Sequence, residues 1–186
     1  MQDDAHRRGK SIDEIKEGDS LTVTECISER ELLIYLGLTN DSNPLYVQTA
    51  FAQSMGYKAP VVPPVMLSGI LTSSISKLLP GPGSEIVNVA TNFIEPVYHE
   101  ETITFTFEVI KVDLMKEVIM ISVEGTNENG NRILDSVIMV RPPRRFNHQQ
   151  LENNLEKEVE KLFTLWYNHF CLIEYNLSHG GVIWEL

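Results

Sequence analysis

The chain has 186 residues, 42 % hydrophobic and 22 % charged, the balance of one globular domain with a sizeable core and at most a short appendage. Its formal net charge of −11 argues against nucleic acid and anionic membrane surfaces as partners, since both would repel it. Two distant cysteines, Cys26 and Cys171, make neither a disulfide framework nor a metal-ligand spacing, so the expected location is a reducing cytoplasm and no metal site is expected.

The polar start, MQDDAHRRGK, has no apolar stretch of the signal-peptide kind and is expected to be a disordered tail over residues 1–10. SLTVTECIS follows, with Leu21 and Val23 alternating and Cys26 and Ile27 less regular, which predicts a strand. SERELLIYLGLTND predicts a helix. Ser28 stands three residues before Glu31, the capping-box spacing, and Leu32, Leu33, Tyr35 and Leu36 form the expected apolar face. NPLYVQTAFAQSMGYKAP predicts a second, short helix with Asn43 as N-cap, Pro44 at the first position and Gly56 at the end. APVVPP is extended, because proline biases its predecessor away from helical backbone.

PVMLSGILTSSISKLLPGPGS is the most apolar helix candidate. Met66, Leu67, Ile70, Leu71, Ser74, Ile75, Leu78 and Leu79 recur at three- and four-residue spacing, with Ser, Thr and Gly between them. So little charge predicts burial over most of the helix surface, and PGPG ends it. Four long segments rich in Val, Ile, Thr and Phe come next, the clearest being TITFTFEVIKV, where Ile103, Phe105, Phe107 and Val109 alternate with polar residues. NENGN supplies a hairpin turn. One apolar helix followed by four strands predicts an α+β fold, with an antiparallel sheet wrapped on a long central helix. That domain is expected over residues 11–142. Residues 143–186 read as a C-terminal helical extension, partly disordered, with Leu151, Leu155, Val159, Leu162, Phe163 and Trp166 as an apolar stripe.

One segment points beyond fold. TNDSNPLY resembles the S-G-D-x-N-P-x-H signature of MaoC-like (R)-specific enoyl-CoA hydratases, with Asp41, Asn43 and Pro44 on the signature. PVVPPVMLSG resembles the family's segment opening the central helix, matched at Pro60, Met66 and Leu67. NFIEPVYHEETITFTFEVIKV resembles the family's strand–turn–strand. The resemblance spans about residues 15–142 and implies a hot-dog fold, usually a homodimer. It also departs from the family: Tyr46 stands at the catalytic histidine, Asn40 at a glycine, Pro64-Val65 at a His-Gly pair and Glu100-Glu101 at a Gly-Asp turn.

The implied activity is hydration or dehydration of acyl thioesters. The implied catalytic positions are Asp41, Asn43 and Tyr46, with Val65, Met66 and Ser68 on the substrate. No cofactor is implied beyond the coenzyme A or acyl-carrier pantetheine that the substrate carries. Such chemistry needs a base for water and a donor for the thioester oxygen as it gains enolate charge. Backbone N–H groups at a helix start supply the second, and Val65 N–H is the one implied here because Pro64 has none. On spacing alone, Asp41 reads equally as a helix cap. Two other functions on the same fold stay open: a silent thioester-binding protein and a thioesterase. His99 is expected to lie solvated in a turn. Arg141, Arg144 and Arg145 either meet the thioester's phosphates or form a solvated charge run.

Overall fold

The computed structural model describes residues 8–144 and 157–162. The chain runs through strand β1 (Ser20–Cys26), helix α1 (Glu29–Thr39), a 3-10 turn (Pro44–Tyr46), helix α2 (Thr49–Ser54), helix α3 (Pro64–Lys77), then β2 (Glu85–Phe93), β3 (Thr102–Asp113), β4 (Val118–Asn127) and β5 (Arg132–Arg141). The five strands form one sheet in the order β1-β3-β4-β5-β2, antiparallel throughout. This is the expected α+β arrangement, with the hot-dog helix α3 against the sheet.

Side-chain alternation builds the core. Ile103, Phe105, Phe107 and Val109 of β3 are fully buried, while Thr106 and Glu108 between them are exposed. Ile119, Ile121 and Val123 of β4 and Leu134, Ile138 and Val140 of β5 join the same cluster, against Leu67, Leu71 and Ile75 of α3. Each fully buried side chain of this size contributes roughly 1.5–3 kcal/mol relative to exposure. Gly125 of β4 sits opposite Phe105 on one side and Leu134 on the other. A Cβ there would lie 2.9 Å from Leu134 Cγ and 3.2 Å from the Phe105 ring, so the glycine makes the room that the ring fills. Asn127 shapes the β4–β5 turn by accepting from the N–H groups of Asn129 and Asn131, and Gly130 takes the left-handed backbone there (φ 78°).

Several expectations need correction. The segment after Asp41 is two short pieces, because Val47 leaves helical geometry (φ −133°) between the 3-10 turn and α2. Helix α3 buries one face only. Leu67, Leu71, Ser74 and Ile75 are covered, while Val65, Gly69, Ser76 and Lys77 are exposed. The hydroxyls of Thr72, Ser74 and Ser76 donate to the carbonyls of Gly69, Ile70 and Thr72 within the same helix, so the uncharged side needs no further partner. On α1, Leu32 is buried but Leu33 is 58 % exposed, so the apolar face is narrower than its sequence implies. Of the first residues, Gly9 and Lys10 donate to Pro82 and Pro80. Residues 1–7 lie outside the described residues. Of the expected C-terminal stripe, Val159 and Leu162 fall in an exposed helical stretch over 157–162, and Leu151, Leu155, Phe163 and Trp166 lie outside the described residues.

Candidate active site

The end of α1 delivers the candidate base. Ser28 caps the helix start, its hydroxyl accepting from the Glu31 N–H, and the Glu31 side chain accepts in return from the Ser28 N–H. At the other end Asn40 adopts the left-handed conformation (φ 54°), stopping the helix and swinging the chain into Asp41. The Asp41 carboxylate then accepts from the Asn43 N–H at 3.0 Å, and the Asn43 side-chain oxygen accepts from the Leu45 N–H at 3.0 Å. These are two successive Asx turns, and they carry the chain into Pro44 at the first position of the 3-10 turn. Asn43 is thus the cap its sequence predicts, and Asp41 shapes the turn before it.

The same turn is tied to the start of the central helix. Val61 N–H donates to the Leu45 carbonyl (3.2 Å) and Val62 N–H to the Val97 carbonyl (2.8 Å), which fixes the extended run leading into Pro64. Pro63 caps α3 without a side-chain acceptor, and Val65 N–H carries no acceptor among the described residues. This free donor at a helix start carries the partial positive charge of the helix dipole.

Two hollows flank the first turn of α3. One, of about 270 Å³, is lined by Tyr46, Tyr57, Leu67 and Pro64 together with Phe93 and Ile94 at the end of β2. The other, of about 560 Å³, runs between α1 and α3 over β1 and includes Tyr35 and Met66. Tyr46 links Asp41 to this surround. Burial chiefly, then the charge of Asp41 and a smaller effect of Tyr35, push its phenol above the ordinary tyrosine value, while a hydrogen bond with Asn43 opposes the rise. A phenol raised in this way stays protonated through neutral pH and is able to donate a hydrogen bond.

The family model for the MaoC-like domain matches residues 10–131. The chain belongs to the MaoC-like family. It is 33 % identical over 98 residues to an (R)-specific enoyl-CoA hydratase of Rhodospirillum rubrum, covering 53 % of this chain and 68 % of the relative. It is 22 % identical over 133 residues to the (R)-specific enoyl-CoA hydratase of Aeromonas caviae, covering 72 % and 99 %. Its fold matches the unliganded R-hydratase PhaJ1 of Pseudomonas aeruginosa with a TM-score of 0.69 at 22 % identity, covering 74 % of this chain and 88 % of that one.

Within this MaoC-like domain, Asp41, Asn43 and Tyr46 share one turn, and Val65 stands in the first turn of α3. Met66 lines the larger hollow, whereas Ser68 lines neither. Tyr35, read from sequence only as part of an apolar face, is a neighbour of the Tyr46 phenol. Phe93 and Ile94 were likewise legible only as strand residues, and nothing local marks them as pocket walls. His99 is not solvated: both ring nitrogens are buried with no hydrogen-bond partner, and burial lowers its pKa against the opposing charges of Glu29 and Glu100. Arg141 pairs with Glu85 and Arg144 with Glu117, which favours the charge-run reading. Arg145 lies outside the described residues. Among the described residues no group of three His, Cys, Asp or Glu side chains is placed to hold a metal ion, and no helix is long and apolar enough to cross a membrane.

Proposed function

We propose that this protein adds and removes water across the α,β double bond of an acyl thioester, as a hydro-lyase of the enoyl-CoA hydratase kind, within cytoplasmic fatty-acyl metabolism. The carrying observation is the pairing of the Asp41–Asn43–Tyr46 turn with the unengaged Val65 N–H at the start of α3. The names of the curated relatives support the same reaction class. The thioester oxygen accepts from Val65 N–H, so charge that develops on the enolate is stabilised by a fixed donor and the helix dipole. Asp41 takes a proton from water as its oxygen bonds to the β-carbon, then returns a proton to the α-carbon, so atoms balance with water and enoyl thioester as the inputs. Asn43 and the protonated Tyr46 hold that water. Only water and protons move, so the reaction calls for no cofactor besides the coenzyme A or carrier pantetheine of the substrate.

A homodimer suits this reading. Strand β2 is a free sheet edge, and Val87, Val89, Phe93 and Ile94 on or beside it are exposed. An unpaired apolar edge is completed by a second copy, which would also close the hollow that Phe93 and Ile94 line. Tyr46, at the position of the family's histidine, favours one second reading: a thioester-binding protein without turnover. Crotonyl-coenzyme A separates these. Loss of enoyl absorbance without thiol release is the expected result. Thiol release would make the protein a thioesterase, and thermal stabilisation without either signal would make it a silent binder.

A further inference from the structure

Helix α1 leads to the candidate base but is held by little packing of its own. Leu32 is its buried residue, while Leu33, Ile34 and Leu38 are exposed. Its far end passes through Asn40 into Asp41, so whatever fixes the helix also fixes that carboxylate. The helix start is tied to the turn over residues 98–101. Glu100 N–H donates to the Ile27 carbonyl at 3.1 Å. One oxygen of the Glu100 carboxylate accepts from the Glu29 N–H at 3.3 Å, and the other from the Cys26 thiol at 4.0 Å. Glu29 opens α1, so its N–H has no acceptor within the helix, and the carboxylate meets the positive end of the helix dipole.

The turn is fastened in its own right. It closes through the Glu101 N–H, which donates to the Tyr98 carbonyl at 3.3 Å. The Glu101 carboxylate accepts from the Tyr98 N–H at 3.1 Å and from the Lys58 ammonium at 2.8 Å, and that ammonium lies 4.1 Å from the centre of the Tyr98 ring. Tyr98 also pairs with Val61, whose N–H donates to the carbonyl of Leu45, the residue before Tyr46. One turn thus reaches both the helix that ends at Asp41 and the segment that carries Tyr46.

Glu100 is the informative residue. It takes a left-handed backbone (φ 64°) at the third position of a turn closed between its first and fourth residues, where glycine normally stands. Glutamate is strained there. Glycine would relieve the strain and keep the backbone bond to Ile27. What it would lose is the carboxylate on the start of α1.

We propose that Glu100 is a positioning residue for the Asp41 base: its carboxylate fixes the start of α1, the 11-residue helix transmits that placement to Asp41, and Glu101 with Lys58 keeps the turn in place. This rests on the hydration reading above, in which Asp41 takes a proton from water. A misplacement of about 1 Å at a reacting group costs up to about 10² in rate, so a loosened helix start lowers kcat and leaves binding nearly intact.

The test measures hydration of crotonyl-coenzyme A by the wild type, Glu100→Gly and Glu100→Gln. Glu100→Gly is expected to keep its Tm within about 3 °C, since relief of strain offsets the lost hydrogen bond. Its kcat is expected to fall at least about tenfold with KM changed less than about twofold. Glu100→Gln keeps an acceptor for the Glu29 N–H and should restore most of kcat. Lys58→Met removes only an exposed ion pair, which carries little stability; it should lower kcat in the same sense, and Lys58→Arg should restore it. A wild-type kcat in both Glu100→Gly and Lys58→Met overturns the proposal, as does a fall in kcat that follows Tm or a change confined to KM. Amide hydrogen exchange over residues 36–41 gives a readout that needs no turnover, and Glu100→Gly should speed it at least about tenfold. Faster exchange in a protein whose wild type hydrates nothing would overturn the reaction and keep the hold on α1. Hydration by the wild type with exchange and kcat both unmoved in Glu100→Gly would do the reverse.

Discussion

The Asn43 backbone N–H donates to the Asp41 carboxylate at 3.0 Å, so one oxygen of the proposed base is held by the turn that it creates. The carboxylate is therefore a local structural element as well as the proposed reactive group, and the two roles can be separated. Asparagine forms the same turn with its side-chain oxygen but cannot take a proton. Asp41→Asn is expected to keep the fold and Tm and to lower kcat for crotonyl-coenzyme A by about 10²–10⁴, the usual worth of general acid–base assistance. Asp41→Ala should lose both rate and some stability. Full turnover in Asp41→Asn would remove this carboxylate from the mechanism.

Tyr46 is protonated at neutral pH and sits against Asp41. An imidazole in its place would have a pKa near 6.5, where it can exchange protons during turnover. Tyr46→His is expected to raise kcat, by at least about tenfold, and to introduce an acidic limb near that pKa into the pH–rate profile. Tyr46→Phe removes only the donor and should lower kcat while leaving binding of a saturated thioester unchanged. If neither substitution moves kcat, the phenol does not touch the reacting water.

The long strands were legible because period-two alternation with Val, Ile, Phe and Thr has one physical cause, a sheet with one buried face. Ile103, Phe105, Phe107 and Val109 satisfy it residue for residue. The cap at Ser28 and the Asn43-Pro44 start were legible for an equally local reason, since a side-chain oxygen meets an N–H two or three residues away. What lay hidden was long-range. Leu33 looks apolar and is exposed, because burial of an α1 residue depends on what packs there and not on its own period. His99 looked solvated in a turn beside two glutamates, yet its ring nitrogens are covered by the fold. Tyr35, Phe93 and Ile94 became site neighbours only when the chain closed around the start of α3.

Val89 lies in the free edge strand and is exposed. A charge there opposes strand-to-strand pairing with a second copy. Val89→Lys is expected to convert the proposed dimer to a monomer on size-exclusion chromatography and to reduce turnover with it, because the hollow lined by Phe93 and Ile94 would then lack the cover of a second copy. A monomeric wild type with full activity would show that one copy suffices.

His99 carries a lowered pKa, chiefly from burial, with Glu29 and Glu100 acting the other way. The unfolded chain therefore binds a proton near pH 6.5, where the folded protein still excludes it. The contribution of this histidine to stability is fully present above that value and is lost as pH falls through it towards the folded-state pKa. The wild type should lose Tm between pH 8 and pH 5, and His99→Leu should lose less over the same interval. Equal losses would mean that the ring titrates alike in both states.

Gly125 faces the core between Phe105 and Leu134, and its backbone needs no unusual dihedral. Substitution by alanine would therefore be harmless on an open strand and would even reduce the entropy of the unfolded chain. Here the added Cβ would lie 2.9 Å from Leu134 Cγ, a branching carbon of a fully buried side chain, and 3.2 Å from the Phe105 ring. Overpacking of this kind costs about 1–3 kcal/mol. Gly125→Ala is expected to lower the unfolding free energy by that amount, read as a lower denaturation midpoint with an unchanged m-value. Combined with Leu134→Ala, which removes the γ carbon, it should cost less than the sum of the two single changes. Costs that simply add would place the strain on the Phe105 side of the strand.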